Sequence, residues 1–256
     1  MTKIFGIDIS KYQKGFDYKK AKEEGVKFAI LRAGYSTTKD TSFETHYKGC
    51  ANQGIEVGAY WFSYAETVKE AQAEAQAFLK AIKGKTFGYP LYMDVESKVM
   101  KNLSKDALNK VIEAFAKEIE KAGYYFGVYT NVDWYKNEMS GSTLNKKYDW
   151  WIACWSKTKP SGIDCGMWQF GGETNKVRTN KVAGVVCDQD YAYKDYPSIM
   201  KKAGLNGYPK VTQENTKKEE EKPTQECVEK TKNEIIIEKI NNIIKKMLNI
   251  FKKNKH

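Results

Sequence analysis

Residues 89–97, with the sequence YPLYMDVES, form the stretch around which the predicted fold is arranged. The apolar residues that follow Pro90 are typical of a strand covered on both faces, and a proline suits the first position of such a strand. Asp94 and Glu96 are two residues apart, so on a strand both side chains point to one side. Two poorly solvated acids there predict a raised pKa, as a general acid requires. From this stretch alone, an exposed strand end with salt-bridged acids is an equal alternative.

Strand and helix patterns alternate on both sides of this stretch. Strands are predicted over residues 4–10, 27–33, 56–64, the acidic stretch, 125–130, 150–155, 167–170 and 185–191. Helices are predicted over residues 18–24, 41–53, 67–82 and 104–122, and the later strands are joined by loops. Alternating elements imply parallel strands with right-handed crossovers. The pattern therefore predicts an α/β fold, a TIM-like parallel barrel with eight strands and a reduced set of helices.

Acidic and aromatic residues recur near the predicted C-terminal ends of the strands, where such barrels place their chemistry. They are, with the other polar residues at these ends, Asp8, Arg32, Tyr60, Phe62, Asp94, Glu96, Tyr129, Trp155, Gln169 and Asp188. Acids that flank a bond, and aromatic faces that pack on sugar rings, are what glycoside hydrolysis requires. A single strand-end aspartate is more often a helix cap, so the prediction depends on four acids converging from three strand ends.

The charge balance favours an anionic partner, because the sequence has 43 basic and 32 acidic residues and therefore a net charge of +11. Basic runs interleaved with aromatic residues are missing from the globular part of the sequence, so nucleic acid is not expected as a partner. With only two histidines in the sequence, a histidine-based metal site and a Ser-His-Asp triad are both disfavoured. We expect neither a metal nor an organic cofactor.

The cysteines and the N-terminus bear on the compartment. Five cysteines stand at wide, irregular spacing, which is typical of neither a disulfide framework nor a zinc site and predicts reduced thiols. The first eight residues lead directly into a strand pattern and lack a charged-then-apolar leader. We therefore expect a protein made in the cytoplasm without a signal peptide.

Six motifs of this chain resemble the strand motifs of glycoside hydrolase family 25, the Chalaropsis-type lysozymes, which include many bacteriophage endolysins. The motifs are FGIDISKYQ (residues 5–13), GAYWFS (58–63), YPLYMDVE (89–96), GVYT (127–130), WIACW (151–155) and MWQF (167–170). They recur in order, and the resemblance covers roughly residues 3–207. One departure is Trp61, where the family often has a histidine.

The resemblance implies N-acetylmuramidase activity, which is cleavage of the β-1,4 bond from N-acetylmuramic acid to N-acetylglucosamine in bacterial peptidoglycan. The family's acids would correspond to Asp8, Asp94, Glu96 and Asp188, with Glu96 as the proton donor. We expect the other three acids to surround Glu96 with negative charge and so keep it protonated. Asp94 would either stabilise an oxocarbenium-like transition state or orient the 2-acetamido group for internal attack.

The remaining candidates would bind substrate. Tyr60, Phe62, Tyr129 and Trp155 are candidates for the sugar-binding wall, with Gln169 and Arg32 beside them. On the eighth strand, Asp190 points to the same side as Asp188 and could substitute for it. A resemblance to endolysins implies action at the bacterial cell wall after release.

Two other functions stay open at this point. A chitinase-like glycosidase also uses alternating acids on a strand, although its usual signature packs several acids into one longer run. A non-catalytic glycan-binding module would keep the aromatic residues but has no need of four converging acids.

The character of the sequence changes after residue 208. We predict a catalytic barrel domain over residues 1–208, a charged flexible linker over residues 209–232 and a basic amphipathic helix over residues 233–256. The lysines and the apolar stripe of that helix suit either binding to an anionic wall polymer or membrane surface, or self-association into a homo-oligomer. A remnant of a wall-binding domain, or its replacement, is a third interpretation.

Overall fold

The structure is a computed structural model that describes residues 3–139 and 143–210 of the chain. All of these residues belong to one compact unit, Met1–Lys210. The predicted basic helix, and the predicted linker from residue 211 onward, lie outside the described residues. Among the described residues, no helix is both long enough and apolar enough to cross a membrane.

Eight strands close into a barrel, because the first strand pairs with both the second strand and the last. The barrel strands are β1 (Ile4–Ile9), β2 (Phe28–Tyr35), β4 (Glu56–Phe62), β5 (Leu91–Asp94), β6 (Phe126–Asn131), β7 (Asp149–Ala153), β8 (Met167–Gly171) and β11 (Asp188–Ala192). Three short strands lie outside this ring, namely β3 (Thr38–Lys39), β9 (Lys181–Val182) and β10 (Val185–Val186). The predicted eight-stranded barrel is therefore confirmed.

The last barrel strand runs against the others, so the expectation of an entirely parallel barrel is wrong at this one strand. The seven barrel strands β1, β2, β4, β5, β6, β7 and β8 are each parallel to their neighbours in this series. The eighth, β11, is antiparallel to both β1 and β8. No helix connects β8 to β11; the connection carries the β9–β10 hairpin, and an antiparallel return needs no crossover helix. The strand predicted over residues 185–191 is divided accordingly, and its barrel part begins at Asp188.

Helices are concentrated in the first two thirds of the barrel. They are α1 (Tyr18–Glu23), α2 (Phe43–Asn52), α3 (Val68–Ile82), α4 (Lys105–Lys121), α5 (Val132–Asn137), α6 (Leu144–Lys147) and α7 (Tyr196–Ala203), with a 3-10 turn at Met100–Asn102. The two longest, α3 and α4, are capped at their N-termini. Thr67 and Glu70 form a reciprocal capping box at α3, and the Ser104 side chain accepts a hydrogen bond from the Ala107 amide at α4. The reduced set of helices matches the prediction.

Alternation along the strands separates two apolar layers. On β4, Tyr60 and Phe62 line a cavity inside the barrel, whereas Trp61 between them packs on Phe78 of α3 with ring centroids 5.4 Å apart. The Trp61 indole donates to the Ser36 carbonyl at 2.8 Å, so this departure from the family pattern belongs to the outer layer. The inner layer fills the barrel below the cavity with large aromatic side chains.

Glycines on the strands make room for these inner rings. A Cβ built at Gly127 on β6 would overlap the ring of Tyr92 and lie 3.1 Å from the Asp149 carbonyl oxygen. Tyr92 itself is fully buried between neighbouring strands. The close approach of ring and backbone therefore requires the absence of a side chain at residue 127.

We predict that Gly127→Ala lowers the free energy of unfolding by about 1–3 kcal/mol, because a well-packed closed interior takes up an added methyl group only by strain. Urea unfolding, with the slope compared as well as the midpoint, measures this change. Lys117→Ala on the exposed face of α4 is the control and should shift stability by less than about 0.5 kcal/mol. Equal midpoints for Gly127→Ala and wild type would show that the interior is loosely packed.

Candidate active site

A cleft opens at the end of the barrel where β1 to β8 finish and β11 begins. Its deep part, the inner lobe, has a volume of about 210 Å³ and is lined by Asp8, Ile9, Ser10, Tyr12, Gln13, Arg32, Tyr60, Phe62, Asp94, Glu96, Tyr129, Trp151, Gln169 and Asp188. Its shallower part, the outer lobe, has a volume of about 520 Å³ and adds Asn131, Ala153, Trp155 and Glu173. Four residues line both lobes: Glu96, Tyr129, Gln169 and Asp188.

The structure brings together ten of the eleven predicted site residues. Nine of them line the inner lobe, and Trp155 lines the outer lobe. The exception is Asp190. Ser10, Tyr12, Gln13, Trp151, Asn131 and Glu173 also line the cleft and were not predicted.

Asp94 and Glu96 occupy different depths of the cleft. β5 ends at Asp94, whose carboxyl group is 3% exposed and has an Oδ1 atom without a hydrogen-bond partner among the described residues. The next residue, Val95, is anchored by its amide to the Tyr129 carbonyl at 2.9 Å. Glu96 therefore lies beyond the strand end, at the junction of the lobes, while Asp94 lies only in the inner one.

Burial raises the pKa of Glu96, and this cause replaces the one that we expected. Neighbouring negative charge acts instead on Asp94, whose pKa is raised well above its usual range by burial and further by the charge on Glu96, while Arg32 lowers it. The difference follows from depth, because the more deeply buried acid loses more hydration and ionises last. Both acids thus hold protons at a higher pH than solvent-exposed carboxyl groups do.

Gln169 connects the floor of the cleft to its aromatic wall. Its Nε2 donates to Oδ2 of Asp8 at 2.9 Å, and its Oε1 accepts from the Tyr129 hydroxyl at 3.2 Å and from Trp155 Nε1 at 3.1 Å. Two donors on one oxygen fix which way the amide points. Gln169 thereby holds Tyr129 and Trp155, from β6 and from the residues after β7, in fixed positions.

Asp190 does not reach the cleft, and its prediction as a substrate-binding residue is corrected. Its carboxyl group is fully buried, lines neither lobe, and accepts a hydrogen bond from Trp151 Nε1 at 2.7 Å. Because β11 starts at the open end and runs inward, Asp188 stands at the rim opposite Asp8, whereas Asp190 is opposite Gly6, deeper in the barrel. Both side chains therefore point to the same face of β11, but Asp190 lies deeper in the barrel than Asp188.

Asp8 and Asp190 are neighbouring buried carboxyl groups, and Oδ2 of Asp190 has no hydrogen-bond partner among the described residues. Burial raises the pKa of both well above the usual range, and the charge on Asp188 adds to it in each case. Burial and neighbouring negative charge therefore favour the protonated forms of these two carboxyl groups.

Asp188 is the partly solvated acid of the group. Burial, with the charges on Glu96 and Glu173, raises its pKa to about 6. Gly172 passes directly over this carboxyl group, where any side chain would overlap Asp188 Oδ1 and the Trp155 ring. Near neutral pH Asp188 is therefore largely ionised within the cleft.

A known family matches this arrangement. The model of glycosyl hydrolases family 25 matches residues 7–179 of the chain. The chain belongs to this family. It is 31% identical over 191 residues to an N,O-diacetylmuramidase of Arthroderma benhamiae, covering 67% of this chain and 80% of that protein. The structure of a family GH25 lysozyme from Aspergillus fumigatus matches with a TM-score of 0.64 at 26% identity, covering 75% of this chain and 95% of that one.

A second relative is longer than this chain. An autolytic lysozyme of Clostridium acetobutylicum is 29% identical over 157 residues, which are 61% of this chain and 46% of that protein. This chain thus spans about half the length of that relative.

We predict that Asp188→Asn changes how stability depends on pH. The folded pKa of about 6 exceeds the ordinary value of 3.8, so the folded wild type binds more protons between these values and loses stability as pH rises through them. Asparagine does not titrate, so the variant does not lose stability in this way as pH rises. It should gain about 1–3 kcal/mol relative to wild type between pH 4 and pH 7, since one pKa unit is worth about 1.4 kcal/mol.

Urea unfolding at pH 4, 5, 6 and 7 measures this difference. Asp133→Asn, at a side chain that is 60% exposed, is the matched control and should run parallel to wild type. A curve for Asp188→Asn that also runs parallel would mean that Asp188 is fully hydrated in the folded protein.

Proposed function

We propose that this protein is an N-acetylmuramidase that hydrolyses the β-1,4 bond between N-acetylmuramic acid and N-acetylglucosamine in bacterial peptidoglycan. The observation that carries the proposal is that Glu96 and Asp188 line both lobes, at their junction. A glycan with one sugar in each lobe would pass its connecting bond between these acids. The relatives named as lysozyme and muramidase support the choice of substrate.

Glu96 is the proposed general acid. Its raised pKa, caused by burial, keeps it protonated at a higher pH than a hydrated glutamate. At the junction it would donate its proton to the bridging oxygen, and the sugar in the outer lobe would leave as an alcohol. Asp188, largely ionised near neutral pH, would stabilise the positive charge that develops on the other sugar.

Asp94 acts on the sugar in the inner lobe. Its buried, unpartnered Oδ1 is an acceptor for the N–H of a 2-acetamido group, which would orient the acetamido oxygen for attack on C1. The same carboxyl group would alternatively stabilise the oxocarbenium-like transition state directly. Burial raises the pKa of Asp8, which favours its protonated form and would reduce the negative charge beneath this sugar.

The second candidate is a chitinase-like glycosidase, which would use the same acids on a glycan without lactyl groups. Borohydride reduction of the digested wall, followed by acid hydrolysis, identifies the sugar at the new reducing end. We expect muramitol. Glucosaminitol as the main product, or cleavage of chitin in preference to peptidoglycan, would overturn the proposal.

We predict that Glu96→Gln lowers turnover about 10²-fold or more, because glutamine keeps the shape of the side chain but cannot donate the proton. Release of reducing ends from purified peptidoglycan measures the rate, and the melting temperature checks the fold. Glu23→Gln is the control, since Glu23 is exposed on α1 and lines neither lobe, and it should stay within a few-fold of wild type. Activity of Glu96→Gln within a few-fold of wild type would remove Glu96 from the mechanism.

Action at the cell wall as an endolysin, and wall binding or self-association by residues 233–256, remain proposals. The sequence features that support them are the excess of lysines and the apolar stripe in that segment.

A further inference from the structure

One corner of the inner lobe differs in charge from the rest of the cleft. Asp8, Asp94, Glu96 and Asp188 line the inner lobe, and Glu173 adds a fifth acid in the outer lobe. Among the described residues that line either lobe, Arg32 is the one basic residue. It is also one of two arginines in the whole sequence, the other being Arg178.

The Arg32 guanidinium is held rigidly. Its Nε donates to Asp40 Oδ2 at 2.7 Å, and its side chain is 11% exposed. Asp40 also accepts from the amides of Lys11 and Ser42, at 3.2 and 2.8 Å, so its oxygens are engaged elsewhere. The position of Arg32 is therefore set by β2 and the residues that follow it, before any ligand arrives.

Two tyrosine rings flank the guanidinium. Its Cζ lies 5.1 Å from the ring centroid of Tyr12 and 5.7 Å from that of Tyr35. The Lys11 ammonium lies over the same two rings, at 5.5 and 5.2 Å. Tyr12 is 74% exposed, so this cationic corner extends from inside the lobe to its lip.

One donor of Arg32 is left over. Its Nη2 is buried and has no hydrogen-bond partner among the described residues. A buried guanidinium N–H without a partner is costly, and a planar fork with a free donor suits a carboxylate or a carbonyl oxygen. Arg32 lines a lobe whose other charged lining residues are all acids, so an anionic substituent of a ligand is best accommodated beside Arg32.

We propose that Arg32 recognises the 3-O-lactyl group of N-acetylmuramic acid and thereby places that sugar in the inner lobe. This inference rests on the proposed function and names the group of the substrate that is recognised. The lactyl group is what distinguishes the muramic residue from N-acetylglucosamine, and it ends in a carboxylate, or in an amide carbonyl where a stem peptide is attached. Either oxygen accepts from Nη2.

Binding of the lactyl group in the outer lobe would be unfavourable. Glu173 and Asp188 face it without a basic residue among the lobe's lining, so a lactyl carboxylate there would meet only negative charge. The N-acetylglucosamine residue is neutral and lacks this penalty. Cleavage between the lobes then leaves muramic acid at the new reducing end, which gives a physical reason for muramidase rather than glucosaminidase specificity.

The test is a comparison of binding in the Glu96→Gln background, so that the ligands stay intact. Calorimetry measures the Kd of the disaccharide MurNAc-β-1,4-GlcNAc, of its lactyl L-alanine amide, and of chitobiose. We expect Glu96→Gln to bind both muramic ligands at least about tenfold more tightly than chitobiose, as hydrogen-bonded recognition of a polar group permits. Rising salt should weaken the free acid more than the amide, which separates charge from hydrogen bonding.

Adding Arg32→Lys should reduce the muramic preference to about threefold or less, because an ammonium group lacks the planar fork in which Nε donates to Asp40 while Nη2 remains for a ligand. Affinity for chitobiose should stay the same. Arg178→Lys changes the other arginine, which is exposed and lies over the Phe5 ring, and is the matched control. If Arg32→Lys melts early, the pair Arg32→Gln with Asp40→Asn removes both charges and replaces it.

An unchanged preference in the Arg32 variants, or an equal loss for all three ligands, would overturn the assignment of Arg32. The proposed function fails separately, if wild type releases no fragments that end in muramic acid. Fragments ending in muramic acid together with an unchanged preference in Arg32→Lys would retain the muramidase and reject only the lactyl site.

Discussion

The antiparallel pairing of β1 with β11 is the contact on which the site depends. It closes the barrel, and it also sets Asp8 opposite Asp188 at the rim. A parallel last strand would bring its C-terminal end to the cleft instead, and Asp188, at the start of β11, would stand at the far end of the barrel. One reversal of chain direction therefore decides which acids line the cleft.

Closure has an electrostatic consequence. Acids from β1, β11 and the end of β5 are drawn into a space with little water, and burial is the largest cause of the raised pKa at Asp8, Asp94, Glu96 and Asp188 alike. Depth then separates their roles. Burial raises the pKa of the deepest acids, Asp8 and Asp94, well above its usual range, whereas Asp188 at the rim is largely ionised near pH 7. Burial also raises the pKa of Glu96 at the junction.

The sequence predicts strands and rim residues well, because a two-residue period and strand-end acids are local signals. It predicts poorly how deep in the barrel a given side chain lies. Asp188 and Asp190 look alike in CDQDY, and only the direction of β11 separates the rim acid from the buried one. Trp151 lies in a strand motif but is not among the predicted site residues. The sequence does not distinguish a tryptophan that lines a cleft from one that packs in the core. Tyr12 lies in a loop motif without a periodic signal.

The cleft and the whole chain carry opposite charge, and the two act over different distances. Lysines contribute to a net charge of +11, and their field is screened beyond about 8 Å at physiological salt. Inside the cleft the acids are buried and therefore screened less. Under the proposed function, an anionic glycan would present its neutral rings to the acids and its acidic substituents to the Arg32 corner. In that proposal, the charge asymmetry that favours an anionic polymer at the surface would also orient it in the cleft.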